Sequence, residues 1–177
     1  GKEQFGSMAA CVIGGETRFG WILDVLKGDM YFAAKGQGAF INGTKISVPP
    51  SPERSLKDLS GYAYFTNDFR QQAKAKKAEI GKISSLRCAA HEYMTLLAGG
   101  ADFSISTNPK PWDHLAGVLL LQEAGGVAAR WNGAEYTPDA CDGILVAGSQ
   151  HIWDQVHGLF LADMNQGSTC AVLANSL

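Results

Sequence analysis

The sequence Pro49-Pro50-Ser51-Pro52 constrains the fold of this chain more than any other stretch. Each proline fixes φ at about −65° and removes a backbone hydrogen-bond donor, so neither a helix nor an inner strand can run through it. We therefore expect two parts that differ in structure. The first part is predicted to span residues 1–53, and the second part residues 54–163.

The stretch before these prolines, residues 5–48, is predicted to form short antiparallel strands. Sequences that favour tight turns separate the strand-like runs. These sequences are Gly14-Gly15, Lys27-Gly28-Asp29 and Asn42-Gly43. Asn-Gly is a strong hairpin signal, because both residues tolerate the positive φ of a two-residue turn. Gly36 and Gly38 predict a bulge or a close approach of the backbone to another element.

After the prolines, runs typical of strands alternate with runs typical of helices. The strand-like runs are LSGYAYF, KISSLRC, ADFSIS, GVAARW and GILVAG. The helix-like runs are NDFRQQAKAKKAEI, AAHEYMTLLAGG, PWDHLAGVLLLQE and QHIWDQVHGLFLADM. This alternation predicts an α/β layer in which some of the strands run parallel. Residues 164–177 show no clear period, and no structure is assigned to them.

Composition narrows the classes of partner. The 177 residues carry a net charge of −2, which argues against nucleic acid or an anionic membrane as the main partner. No apolar run approaches the roughly 20 residues that span a bilayer. Four widely separated cysteines form no CxxC pair, a spacing that favours reduced thiols. They are Cys11, Cys88, Cys141 and Cys170. We therefore expect a cytoplasmic protein whose partner is neither a membrane nor a nucleic acid.

Residues 111–126, PWDHLAGVLLLQEAGG, are predicted to form an apolar helix that begins within two residues of Asp113 and ends near Gly125. From residue chemistry alone, Asp113 is the N-cap, and its amide hydrogen bonds contribute about 1 kcal/mol. In the same interpretation Trp112 lies in the core and Glu123 on the exposed side. The alternative is that the Asp113 carboxylate is held at the helix start for chemistry.

Three blocks of the sequence resemble the inositol monophosphatase family. WDHLAGVLLLQEAGG resembles its second signature, GDMYFAAKGQGAFINGTKISV its strand-turn-strand segment, and LRCAAHEYMTLLAGGADF the loop and helix before Trp-Asp. The blocks occur in the family's order and at about its spacing, so the resemblance covers residues 5 to about 160. It implies an α/β fold class, the layered α+β sandwich of inositol monophosphatase and fructose-bisphosphatase, incomplete at the N-terminus.

The resemblance also implies a function and a set of site residues. Asp113 would be a ligand of Mg²⁺ as well as a cap, with Trp112 as a packing wedge before it. The chemistry agrees, because Mg²⁺ prefers carboxylate oxygens and helix-start amides favour the substrate's phosphate. Arg87-Cys88-Ala89 resembles the substrate-facing turn, although a plain helix start explains it equally well, and His114 is a further candidate contact. The implied activity is Mg²⁺-dependent hydrolysis of a small phosphate monoester by a homodimer.

The chain departs from the family pattern in two places. The first signature, Asp-Pro-Ile/Leu-Asp-Gly-Thr, supplies most metal ligands together with an upstream Glu, and it is absent from residues 1–177. The region before Trp-Asp has Ser104, Ser106 and Lys110, whereas many members that hydrolyse inositol phosphate have a carboxylate there. The substrate therefore stays open among inositol, histidinol, sugar and nucleotide phosphates.

The absent signature leaves two functional hypotheses. In the first, this chain is the C-terminal part of the enzyme, and residues 1–177 alone are inactive. In the second, the chain is a non-catalytic interaction or assembly protein that keeps the fold. The reading frame immediately upstream of Gly1 discriminates between them, because the first signature found there would indicate an enzyme. A metal-free small-molecule binding module is a third interpretation, and it would leave Asp113 as a cap only.

Overall fold

The computed structural model describes residues 4–140 and 142–161, which form two five-stranded sheets and four α-helices. The strands of the first sheet are β1 Gly6–Ile13, β2 Glu16–Asp24, β3 Asp29–Ala34, β4 Gly38–Ile41 and β5 Thr44–Ile46. Those of the second sheet are β6 Ser60–Tyr64, β7 Lys82–Ser84, β8 Phe103–Ser106, β9 Val127–Arg130 and β10 Ile144–Ala147. The helices are α1 Asn67–Lys76, α2 Ala89–Leu97, α3 Pro111–Glu123 and α4 Gln150–Phe160. Residues 164–177 lie outside the described residues.

The first sheet is the antiparallel meander that the sequence predicts. Its strands follow one another in chain order from β1 to β5, each antiparallel to the next. Asn42 and Gly43 have φ values of 49° and 81° and form the turn between β4 and β5. This confirms the Asn-Gly hairpin, because only residues that tolerate positive φ close such a turn without strain.

The second sheet confirms the predicted mixture of strand directions. Its order is β7-β6-β8-β10-β9. β6 runs parallel to β7 and β8, whereas β10 runs antiparallel to β8 and β9. The run KISSLRC contributes only the short strand β7. It ends at Ser84, and Arg87 then adopts a φ of 55°, a left-handed conformation that cannot continue a strand.

Helices α2 and α3 form a layer between the two sheets, and α4 covers the far face of the second sheet. One core contains Ile22, Ala33 and Ala39 of the first sheet together with α2, α3 and one face of the second sheet. A second core lies between the other face and α4. The first core thus joins residues from both sides of the proline-rich segment. The predicted domain division, 1–53 and 54–163, stays a prediction.

The central helix α3 touches its neighbours at two glycines. A Cβ at Gly20 on β2 would lie 2.9 Å from the carbonyl oxygen of Ala116, and a Cβ at Gly117 would lie 2.2 Å from the Tyr93 ring. Real Cβ atoms do not approach so closely, so only glycine fits at either position. Helix α3 is therefore held at van der Waals distance from β2 on one side and from α2 on the other.

The last residue of α3, Glu123, connects this helix to the turn between β3 and β4. Its carboxylate accepts the backbone N–H of Gly36 at 2.6 Å and that of Gly38 at 2.7 Å. Glu123 was predicted on the exposed side of α3; it is half-buried and bonded to the β3–β4 turn. The predicted close approach at Gly36 and Gly38 is confirmed, and both glycines have positive φ. Periodicity could not place Glu123, because its partners lie 85 and 87 residues away.

The tight contact at Gly117 gives a first testable prediction. Gly117→Ala places a methyl group against the buried Tyr93 ring, and overpacking of this kind costs about 1–3 kcal/mol. Gly158 on α4 is the matched control, because a Cβ there meets no atom within 4 Å. Gly158→Ala should raise the free energy of unfolding by up to about 1 kcal/mol through helix propensity. Urea denaturation measures both, and equal values for the two variants would contradict this packing.

Candidate functional site

Asp113 lies in the exposed first turn of α3, but it is not the N-cap. The helix begins at Pro111, within the predicted two residues of Asp113, and it ends at Glu123, close to Gly125. The N-cap is Lys110, so the prediction that Asp113 caps the helix was wrong. The reason is Pro111, whose fixed φ suits the first helical position and starts the helix two residues earlier. The Asp113 carboxylate is exposed, and no described residue forms a hydrogen bond or an ion pair with it.

Trp112 is 71% exposed, which corrects its prediction as a core residue and packing wedge. The buried stretch of α3 begins only at Leu115, so the first turn extends beyond the elements that cover the rest of the helix. An apolar side chain next to an apolar helix normally predicts burial. Here the pattern failed because the described residues leave this end of the helix uncovered.

The turn that leads into α2 holds three of the predicted substrate residues. Arg87 is exposed and has positive φ, Cys88 is the N-cap, and Ala89 is the first helical residue. Neither Cys88 nor Lys110, the N-cap of α3, makes a side-chain capping hydrogen bond. Neither helix start therefore has a side-chain cap, and the free N–H groups at the start of α2 favour an anion. At the start of α3, Pro111 has no N–H, and the N–H of Asp113 donates to the carbonyl oxygen of Lys110 at 3.0 Å.

A hydrogen bond between Tyr93 and His114 joins the middle of α2 to the first turn of α3. The Tyr93 hydroxyl lies 2.9 Å from Nδ1 of His114, and the two rings meet edge to face. The Tyr136 ring also meets the imidazole edge to face. Burial lowers the pKa of His114 to about 4, so the ring is neutral at pH 7. The predicted substrate contact of His114 stays a prediction, and the structure gives its ring a packing role between α2 and α3.

The field of Asp113 reaches both tyrosines that surround His114. Burial raises the pKa of Tyr93 well above its usual value, and Tyr136, Glu92 and Asp113 add to the effect. Burial also raises the pKa of Tyr136 to about 12, with Asp113 and Asp142 contributing. The carboxylates thus give the surroundings of the two tyrosines a negative electrostatic potential. Such a field suits a cation and opposes any further negative charge.

The described residues contain no complete metal site. In residues 4–140 and 142–161 no three His, Cys, Asp or Glu side chains converge on one point. Asp113 offers one accessible carboxylate, which is the oxygen donor that Mg²⁺ prefers. It therefore fits Mg²⁺ as a single ligand, but a single carboxylate does not hold the ion. The predicted role of Asp113 as a Mg²⁺ ligand stays a prediction.

Sequence reasoning missed Glu92, a second carboxylate near Tyr93. It lies in the first turn of α2, and its Oε2 accepts the Ser104 hydroxyl at 3.0 Å. The backbone N–H of Leu86 also donates to it, and burial raises its pKa. An acidic residue in the first turn of a helix usually faces solvent and meets the helix dipole. Because the contact to Ser104 on β8 depends on tertiary packing, no local signal could reveal it.

Two predictions from composition can be compared with the structure. Cys11 and Cys88 are free thiols, in agreement with the expectation of reduced cysteines. Among the helices of the described residues, none combines the length and the apolar character needed to cross a membrane.

Comparison with known proteins supports the resemblance seen in the sequence. A sequence model of the inositol monophosphatase family matches residues 1–168. The chain belongs to the inositol monophosphatase family. It is 31% identical over 139 residues to a fructose-1,6-bisphosphatase/inositol-1-monophosphatase of Thermotoga maritima, covering 76% of this chain and 52% of the relative. It is also 29% identical over 156 residues to Nus factor SuhB of Xylella fastidiosa, covering 79% and 54%.

A solved structure confirms the predicted fold class. A Thermotoga maritima IMPase superimposes with a TM-score of 0.73 at 27% identity, covering 86% of this chain and 59% of that protein. The layered α+β architecture is therefore that of an inositol monophosphatase. This chain spans about half the length of the curated relatives that it matches.

The environment of Tyr136 predicts a pH effect on stability. Its hydroxyl is buried and has no hydrogen-bond partner among the described residues. Because the pKa of Tyr136 is about 12 in the folded protein and about 10 when unfolded, the unfolded state loses this proton first. The unfolding free energy should therefore fall as pH rises from 10 to 12.

Tyr136→Phe removes both the proton and the unpartnered hydroxyl. At pH 7 the variant should equal the wild type or exceed it by about 1 kcal/mol, since a buried polar group without a partner is costly. Between pH 10 and 12 its advantage over the wild type should widen. Urea denaturation at several pH values gives the comparison, and a constant difference would show that the buried environment of Tyr136 is misassigned.

Proposed function

We propose that this chain forms the C-terminal part of a Mg²⁺-dependent phosphomonoesterase that hydrolyses a small phosphate ester. Family membership supports a phosphatase in general, and members of the family are generally metal-dependent. The remaining ligands and the residues that position the attacking water would come from the first signature, outside residues 1–177. In this proposal residues 1–177 alone have negligible activity, and the complete enzyme is a cytoplasmic homodimer.

The observation that carries the proposal is that the Asp113 carboxylate is exposed and unpaired among the described residues. Asp113 does not cap its own helix either. A charged residue with no structural partner contributes little to folding beyond its favourable position near the helix dipole. The residue is therefore free to bind a ligand, and in a family with metal-dependent members a cation is the ligand that fits.

The uncapped start of α2 supplies a place for the phosphate in this proposal. The N–H groups at Ala89 and the residues after it, with the exposed guanidinium of Arg87 beside them, would donate hydrogen bonds to the phosphate oxygens. Asp113 on α3 would hold one coordination position of Mg²⁺. When bound, Mg²⁺ would neutralise charge on the phosphoryl group.

A second function is a protein-binding role without catalysis. One observation favours it, because some of the relatives are named as Nus factor SuhB rather than as phosphatases. The structure offers a suitable surface, since β1 lies at the edge of its sheet and Val12 and Ile13 are exposed there. An open strand edge with apolar residues can pair with another chain.

Asp113→Asn in the product of the complete reading frame that contains residues 1–177 tests the proposal. Asn keeps the size of the side chain but removes one negative charge from a hard-cation site. The Mg²⁺ concentration for half-maximal activity should rise, and turnover should fall about tenfold or more, since each ~1.4 kcal/mol of lost stabilisation is tenfold. The melting temperature without Mg²⁺ should change little, because no described residue forms a hydrogen bond or an ion pair with the carboxylate.

Asp154→Asn is the matched control, since Asp154 is an exposed carboxylate on α4. This variant should keep the Mg²⁺ dependence and the turnover of the wild type. Equal activity for Asp113→Asn and the wild type would refute the metal-ligand role. No hydrolysis by the wild type, together with concentration-dependent association, would favour the protein-binding function instead.

A further inference from the structure

Glu92 forms hydrogen bonds that connect the turn before α2 to the second sheet. Its carboxylate accepts the N–H of Leu86, one residue before Arg87, and the hydroxyl of Ser104 on β8. Ser104 is itself buried. Both contacts lie on the side of the second sheet that faces α2 and α3, because Phe103 and Ile105 point to the opposite core.

The negative charge of Glu92 is not needed for these contacts. No Lys, Arg or His of the described residues forms an ion pair with it. Burial raises its pKa, which means that the ionised form is disfavoured in the folded protein. A glutamine could make equivalent hydrogen bonds to Leu86 and Ser104 without a desolvated charge. The charge therefore costs stability, and groups of this kind are concentrated at functional sites.

The carboxylate also has unused capacity to accept hydrogen bonds. An ionised carboxylate offers about four acceptor positions, and two donors are present among the described residues. Glu92 is half-buried, so it is not fully enclosed by the protein. A charged acceptor with free positions and no cation nearby is suited to a hydroxyl or ammonium donor.

Its position relates Glu92 to the proposed phosphate and metal positions. Glu92 lies on α2 one turn after Ala89, and it precedes Tyr93, whose hydroxyl contacts His114 next to Asp113. Both Glu92 and Asp113 act electrostatically on the Tyr93 phenol. Both carboxylates therefore lie in the surroundings of the Tyr93 phenol.

We propose that Glu92 is a specificity residue that accepts hydrogen bonds from hydroxyl or ammonium groups in the organic part of the substrate. This inference rests on the proposed function, since the phosphate of the same molecule would lie at the start of α2. Glu92 would then supply a carboxylate beside β8, which itself provides the buried hydroxyls of Ser104 and Ser106.

Titrations of the 177-residue chain, followed by NMR at the Leu86 amide and the Glu92 carboxyl carbon, test the proposal. The probes are myo-inositol 1-phosphate, histidinol phosphate and phenyl phosphate, each with and without Mg²⁺. myo-Inositol 1-phosphate carries hydroxyl donors, and histidinol phosphate carries an ammonium donor. Phenyl phosphate carries no donor apart from its phosphate. Glu92→Gln keeps the shape and removes the charge, and Glu79→Gln, an exposed carboxylate in the turn after α1, is the matched control.

Glu92→Gln should raise the Kd of at least one donor-bearing probe about fivefold or more and leave that of phenyl phosphate within twofold. Loss confined to myo-inositol 1-phosphate would assign hydroxyl recognition, and loss confined to histidinol phosphate would assign ammonium recognition. Glu79→Gln should behave as the wild type with all three probes. The melting temperature of Glu92→Gln at pH 7 should equal or exceed that of the wild type.

Three results would overturn the inference: equal Kd changes for all three probes, no change for any, or no saturable shift at Leu86 in the wild type. Failure of the proposed function has a different signature. In that case the product of the complete reading frame would bind the donor-bearing probes with the same Kd with and without Mg²⁺, in the wild type and in Asp113→Asn alike. The dependence on Glu92 would then remain.

Discussion

Two hydrogen bonds to one carboxylate hold the central helix of this protein in place. Glu123 accepts the N–H groups of Gly36 and Gly38, so the last turn of α3 is fixed to the β3–β4 turn. Hydrogen bonds to a charged acceptor contribute about 1.5–3 kcal/mol each, more than bonds between neutral groups. Together with the glycine contacts to β2 and α2, they set the direction in which the other end of α3 presents Asp113.

The fold was largely predictable because its signals are local. Asn42-Gly43 requires positive φ whatever surrounds it, and three closely spaced prolines cannot lie in an inner strand. The site was less predictable because its decisive contacts are long-range. Glu123 and Glu92 both resemble solvent-facing acids in sequence, yet each binds a partner from another element. Trp112 shows the converse, since periodicity predicts burial but cannot show where the neighbouring elements end.

Along helix α3, the residues that stabilise the fold are separate from Asp113, the proposed ligand-binding residue. The buried middle, Leu115–Leu121, and Glu123 at the C-terminal end are engaged in packing and hydrogen bonds. The first turn is exposed and its carboxylate has no partner among the described residues. A binding group at the end of a rigid helix is positioned without itself contributing to the core, which is the arrangement that a precise site requires. Family membership and the uncapped start of α2 agree with this division.

This division along α3 is the central claim, and the most direct measurement compares both ends of the helix in the same chain. Urea denaturation of residues 1–177 gives the free energy of unfolding for Glu123→Ala and Asp113→Ala. We expect a loss of about 2–4 kcal/mol for Glu123→Ala, because the N–H groups of exposed Gly36 and buried Gly38 both lose a charged acceptor. We expect a change within about 1 kcal/mol for Asp113→Ala, which removes only a charge near the helix dipole. Equal losses, or a larger loss for Asp113→Ala, would contradict the claim.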